Sequence, residues 1–413
     1  MKTPTLTRLS AVMVGLGAIL CSAQPVAPDS GILTAAMKPF LDKGTFAGAV
    51  LLVADRTKVL DVEAMGYSDI EHKVPMKTDA EFWIASQSKA MTTAAFMMLV
   101  DEGKINLDDP VEKYLPEFHG QTVEADSAAA APKEGDNVDS DAGAAHNHTR
   151  ANLAVRRVPA VHPITIREIM SHTSGLPGRS AEEKNPIDAQ PLRVAVHQYG
   201  TEPLVFQPGS TFFYSNEGIN TAGRIIEVVS GMPYEDFMQK RLFDPLGMTH
   251  TTFWPTPEEI ARLPKIYGGE GKDLVEKPME QLRRPYTDHE HRFPIPAGGL
   301  FSDAFDVARF CQMLLDGGAF QGKRLLSEKA VAAITHKETP PNVHTPYGFG
   351  MYEETDGFRH GGALKSEMYV DTQHGLVRIF MIQKTGAWRG PEYQDLKKAF
   401  GNAAIAVEKA DVK

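Results

Sequence analysis

Ser86 and Lys89 stand three apart within residues 82–100, FWIASQSKAMTTAAFMMLV. If a helix begins near Ser86, this spacing sets the Lys89 amine beside the Ser86 hydroxyl on one face. Ala90, Ala94, Phe96, Met97, Met98 and Leu99 then wrap the helix in apolar surface, which predicts that it is buried. A buried amine is disfavoured as a cation, so its pKa falls and it can accept the serine's proton. A serine at a helix N-terminus also has its own amide and the helix dipole facing any developing negative charge. The chemistry on offer is attack on a carbonyl. The spacing alone is unspecific, since about one Ser-x-x-Lys arises by chance in a chain this long, so its weight depends on what accompanies it.

The elements that must hold these residues can be read from the pattern around them. Residues 32–41 predict a short helix, and 47–54 with 59–67 predict a β-hairpin turning at Asp55-Arg56-Thr57-Lys58. Gly103 is a stop for the buried helix, and residues 106–110 form a turn into a short helix ending near Pro116. Residues 119–158 are dominated by Ala, Gly, Asp, Asn and Ser, which predicts a disordered surface insertion. Residues 164–172 read as a helix closed by a turn at 173–178. After Tyr214-Ser215-Asn216 a strong helix follows, with Ile219, Ala222, Ile225, Ile226 and Val229 at helical period and Gly231 as its stop. Residues 305–315 predict another amphipathic helix. Two hairpins come next, 347–353 with 357–359 and 368–371 with 376–383, and a last helix covers 392–407. The expected fold is α+β: an antiparallel sheet built from both chain ends (residues 30–80 and 345–410) with flanking helices. A mainly helical part, 81–344, is inserted between them. No internal repeat is visible.

Composition bounds the function. The 413 residues carry a formal charge of −10, with 42% hydrophobic and 23% charged residues, as in ordinary soluble proteins. Residues 1–23 combine Lys2 and Arg8, an apolar run too short to span a bilayer, and the small-residue end Cys21-Ser22-Ala23. That pattern predicts a secretory signal peptide and a periplasmic or secreted protein, with an anchor helix as the alternative reading. Cleavage leaves Cys311 as the single cysteine, which excludes an intrachain disulfide or a thiolate metal cluster. No membrane span is expected after residue 23. The acidic balance argues against nucleic acid as a partner and leaves a small molecule or peptide as substrate. His146-Asn147-His148 and Asp288-His289-Glu290-His291 lack a further ligand at useful spacing, so neither is expected to hold a metal, and no cofactor is expected.

Taken in order, Ser86-Gln87-Ser88-Lys89, His172-Thr173-Ser174-Gly175-Leu176-Pro177, Tyr214-Ser215-Asn216, Pro296-Ala297-Gly298-Gly299-Leu300 and His360-Gly361-Gly362 resemble the serine β-lactamase and penicillin-binding protein superfamily. The nearest branch holds class C β-lactamases, D-aminopeptidases and family VIII esterases. The resemblance runs from about Thr45 to Ala406, leaving out the 119–158 insertion. It implies a β-lactamase/transpeptidase-like fold and an acyl-enzyme mechanism, with Ser86 as nucleophile and Lys89 and Tyr214 shuttling the proton. It also implies that Asn216 bonds Lys89 or the substrate, and that the Ala363 amide joins that of Ser86 as oxyanion donor. Two segments compete for the family's Lys-Thr-Gly position. A literal Lys384-Thr385-Gly386 occurs, but only a helix follows it, whereas two strands and a helix follow His360 as the family requires. His360-Gly361-Gly362 therefore takes the place. A mostly neutral histidine and a glycine without a hydroxyl weaken carboxylate recognition, which favours ester or amide substrates. Lys365 is a cation that could offset this. β-Lactamase or D-Ala-D-Ala carboxypeptidase activity, and a penicillin-binding sensor that does not turn over, are the alternatives. No Gly-x-Ser-x-Gly, His-Glu-x-x-His or phosphate-binding glycine loop is present.

Overall fold

The computed structural model describes residues 29–124, 156–177, 186–269, 271–386 and 391–411. The signal-peptide segment, most of the 119–158 stretch including His146 and His148, and Gly178 lie outside the described residues.

A seven-stranded antiparallel sheet forms the frame. Its strands are β1 (Gly48–Ala54), β2 (Val59–Asp69), β3 (Val74–Pro75), β4 (Tyr352–Glu354), β5 (Gly357–Gly361), β6 (Glu367–Asp371) and β7 (Leu376–Met381). Their spatial order is β4-β5-β6-β7-β1-β2-β3, so the two chain ends meet where β1 pairs β7, with Val50 opposite Met381. The unbroken apolar run of β1 reflects burial on both faces. Ala49, Leu51 and Val53 face α1 (Ile32–Asp42) and α6 (Pro391–Asp411), packing with Leu33, Met37, Leu396 and Phe400. Val50 and Leu52 face the other way, into a larger core shared with the helical part.

That part is built on α2 (Ser88–Asp101), α3 (Ile166–Met170), α4 (Asn216–Ser230) and α5 (Ala304–Leu315). All residues of α2 from Ser88 to Leu99 are buried, as an apolar surface on every side requires. The helix starts later than expected: Ala85–Gln87 form a 3-10 turn, and the α-helix begins at Ser88. Within the biased stretch 119–158, Thr122–Glu124 pair with Arg157–Pro159 as a short antiparallel ribbon.

Candidate active site

Ser86 reaches its position by a constrained route. The short strand Phe82–Trp83 pairs with Phe301–Ser302, and Trp83 Nε1 donates to Gly298 O at 2.7 Å. Ala85 then takes a positive φ of 46°, a strained conformation for a residue with a Cβ. Gln87 Nε2 donates to Ser366 Oγ at 2.8 Å, which ties the serine's turn to the loop after β5. Gly362 in that loop passes so close that a Cβ would lie 2.6 Å from Ile84 O; only glycine fits.

Lys89 is fully buried directly behind Ser86. Its Nζ lies 3.1 Å from Ser86 Oγ, 2.7 Å from Asn216 Oδ1 and 2.7 Å from Ala297 O, and 4.7 Å from the centre of the Tyr214 ring. Burial holds the Lys89 amine well below the ordinary lysine range. α4 delivers two of these groups. Its N-cap Ser215 accepts from Gly218 N, fixing Asn216 at the first turn and Tyr214 just before it. Burial pushes the Tyr214 phenol well above its usual value, with Tyr352 adding to the shift and a hydrogen bond with Ser86 opposing it.

His360 lies on β5 opposite Met368, buried on the same face as the helical part. Its Nδ1 is 2.8 Å from Gly361 O, so Nδ1 carries the proton and Nε2 is the acceptor. Tyr214 Oη and Tyr347 Oη both approach Nε2 at 3.5 Å, the long limit of a hydrogen bond. Burial pushes His360 down to about 3, and the nearby Lys89 adds to this. The amide of Gly362 donates to Ser366 O, while that of Ala363 donates to no group among the described residues. Lys384 Nζ donates to Gly269 O at 2.6 Å. Lys365 lines a cleft with Glu354, Glu367 and Tyr369 on the sheet face opposite to His360. Of the sequence-nominated groups, Ser86, Lys89, Tyr214, Asn216 and His360 thus converge.

Three neighbours escaped the sequence reading. Ala297 figures in the sequence only as part of a motif, because nothing marks a backbone carbonyl as a partner for Lys89, and Tyr347 sits in a loop that reads as strand. His172, noted only as part of a motif, packs its ring 4.6 Å from Tyr214 and 4.9 Å from Tyr347. Its Nδ1 accepts from Ser215 N at 3.2 Å, so it anchors the N-terminus of α4. The Asp288–His291 segment is a loop closed on itself, His291 Nδ1 lying 3.1 Å from Asp288 Oδ1, and His289 stacks on Trp254.

Comparison with known proteins places this geometry. Protein Rv1367c of Mycobacterium tuberculosis is 33% identical over 305 residues, covering 72% of this chain and 69% of that one. A lovastatin esterase of Penicillium rubens is 26% identical over 411 residues, covering 87% and 94%. Among solved structures, EstCE1, described as a hydrolase with promiscuous acyltransferase activity, superposes with a TM-score of 0.69 at 22% identity. That alignment covers 90% of this chain and 98% of the other, and it supports the fold. The Beta-lactamase family model matches residues 33–399, which takes in the sheet from β1 to β7, the helical part and every residue around Lys89. With nine-tenths of its length and every residue around Lys89 inside that match, the chain belongs to the Beta-lactamase family, within the serine β-lactamase and penicillin-binding protein superfamily.

Proposed function

We propose that this protein is an exported serine hydrolase that cleaves ester or amide substrates through an acyl-enzyme on Ser86. The observation that carries the reading is the set of partners around Lys89 Nζ. A neutral amine has two N–H groups and one lone pair. The carbonyl oxygens of Asn216 and Ala297, each at 2.7 Å, take the two N–H groups. The lone pair is left to face Ser86 Oγ at 3.1 Å. Ser86 Oγ passes its proton to Lys89 and bonds to the substrate's carbonyl carbon, and the carbonyl oxygen becomes an oxyanion facing the Ser86 and Ala363 amides. Tyr214, a neutral phenol at rest, gives its proton to the departing alkoxide and regains one from Lys89. Water then attacks the acyl-serine and passes a proton to Lys89; the acyl–Oγ bond breaks, the carboxylic acid leaves, and Lys89 returns that proton to Ser86 Oγ.

The substrate preference rests on His360. An imidazole that stays neutral cannot pair with a carboxylate as the family's lysine does, Gly361 adds no hydroxyl, and Lys365 lies on the other face. The name of the lovastatin esterase relative points the same way. Export is carried by residues 1–23. A short-chain p-nitrophenyl ester and a chromogenic cephalosporin, assayed side by side, test the reading. Faster ester turnover is expected, with loss in Ser86→Ala; wild-type ester hydrolysis by Ser86→Ala would end it. Dominant cephalosporin turnover identifies a β-lactamase instead, and a lasting penicillin adduct on Ser86 by mass spectrometry identifies a sensor.

A further inference from the structure

On the strand that leads to Ser86 lies a second group of ionisable residues that hydrolysis does not use. Glu81 is fully buried, and neither of its carboxylate oxygens has a hydrogen bond. The nearest cation, Arg262, comes only to 3.8 Å, and its own Nε is buried without a partner. The rest of that guanidinium is divided between Asp79 at 3.9 Å and His250 Nδ1 at 3.3 Å. Glu259 sets Oε1 3.5 Å from His250 Nδ1, while its Oε2 caps the Pro257–Ile260 helix through Thr256 N. One ligand atom from each of Glu81, His250 and Glu259 lies within 4.8 Å of the other two. Asp303 and Asp306 add negative charge around Glu81, with Arg262 and Arg309 among the cations beside them.

We infer that Glu81, His250 and Glu259 form a binding site for one divalent transition-metal ion, with Zn2+ the best match. One imidazole nitrogen and two carboxylate oxygens suit Zn2+, whose bonds of about 2.0–2.2 Å need only a modest contraction of the triangle. Ca2+ and Mg2+ prefer all-oxygen shells. The fourth position falls to water on the His250 side, where that side chain is 40% exposed. Arg262 swings towards Asp79, which is 58% exposed and can follow it. The bound ion would pin the start of the Phe82–Trp83 strand to residues 250–259, five residues ahead of Ser86. Its role is to hold the delivery strand, and it takes no part in the chemistry. Residues 81, 250 and 259 are too far apart in the chain for any spacing rule to have joined them.

The test uses the full chain without an affinity tag, stripped with a chelator and titrated with ZnCl2 by calorimetry. The expected result is one equivalent bound, a saturable rise in melting temperature, and no comparable binding of Mg2+. Mutating even outer-shell partners costs about 10–100-fold in metal affinity, so His250→Ala and Glu81→Gln should each weaken binding at least that much. His250→Ala, at a part-exposed position, guards against misfolding, with a single cooperative thermal transition in the metal-free protein as its check. No stoichiometric binding to the stripped wild type, unchanged affinity in both variants, or equal affinity for Mg2+ would each overturn the assignment.

Discussion

A lysine that accepts a proton must reach the reaction uncharged, and the surroundings of Lys89 favour that state. Burial lowers its pKa, and that burial outweighs the two carbonyl oxygens that accept from its N–H groups. Below that lowered pKa the amine is protonated and cannot act as base, so kcat/KM for a neutral ester should fall as pH falls through it. His360 titrates near 3, so it contributes nothing to that limb, and His360→Asn should leave the limb's midpoint unchanged. A pH-rate profile of both proteins checks this, and a moved midpoint would reassign the base. Tyr214→Phe removes the phenol proposed to protonate the leaving group while keeping the ring against Lys89. Because general acid–base groups contribute about 10²–10⁴-fold, kcat should drop by that order with KM little changed, measured on the same ester. These side chains were legible because each is a reactive type inside a motif. The Ala297 carbonyl was not, since a backbone oxygen acquires its role only from the approach of another segment.

At the level of elements, the site depends on how closely α4 is packed. A Cβ on Gly223 would come within 2.2 Å of Pro296 Cγ, and one on Gly218 within 2.5 Å of Ile169 O. Pro296 immediately precedes the carbonyl that holds Lys89. Gly223→Ala therefore forces α4 and the 296–297 segment apart, and the Asn216 and Ala297 contacts to Lys89 loosen with them. The expected result is a lower melting temperature together with a fall in kcat, read by thermal unfolding and ester turnover. A fall in stability with kcat intact would mean the loop, and not α4, absorbs the shift. The glycine stop at Gly231 was readable and adopts the left-handed conformation with φ 70°. The helix Leu192–Thr201 also carries a signal, with Leu192, Ala195, Val196 and Tyr199 at helical spacing. At ten residues it is too short for periodicity alone to settle. The 3-10 turn at Ala85–Gln87 has no such mark; it is imposed by the strand before it and the loop carrying Gly362.

Across the whole molecule, the sheet separates two apolar cores, and its strands belong to both. That both chain ends supply strands was legible from apolar β-branched runs at each end. Their order was not, because pairing between residues over three hundred apart follows from packing and leaves no local trace. β1 sends Val50 and Leu52 to the core of the helical part, and Leu51 and Val53 to the core under α1 and α6. β7 does the same with Ile379 and Phe380. A loss on the α6 side must therefore be felt in the strands that carry the other side, and unfolding should be one cooperative event. Phe400, buried on α6 with its ring centre 6.0 Å from that of Phe380, tests this. Phe400→Ala should cost about 3–5 kcal/mol through lost burial and the cavity left behind. The denaturant midpoint should fall with an unchanged slope and a single transition, followed in parallel by intrinsic fluorescence and ester hydrolysis. If α6 and the sheet's outer face instead unfolded first while hydrolysis persisted, the two cores would be independent, and the strand end that holds His360 would owe nothing to the C-terminal helix.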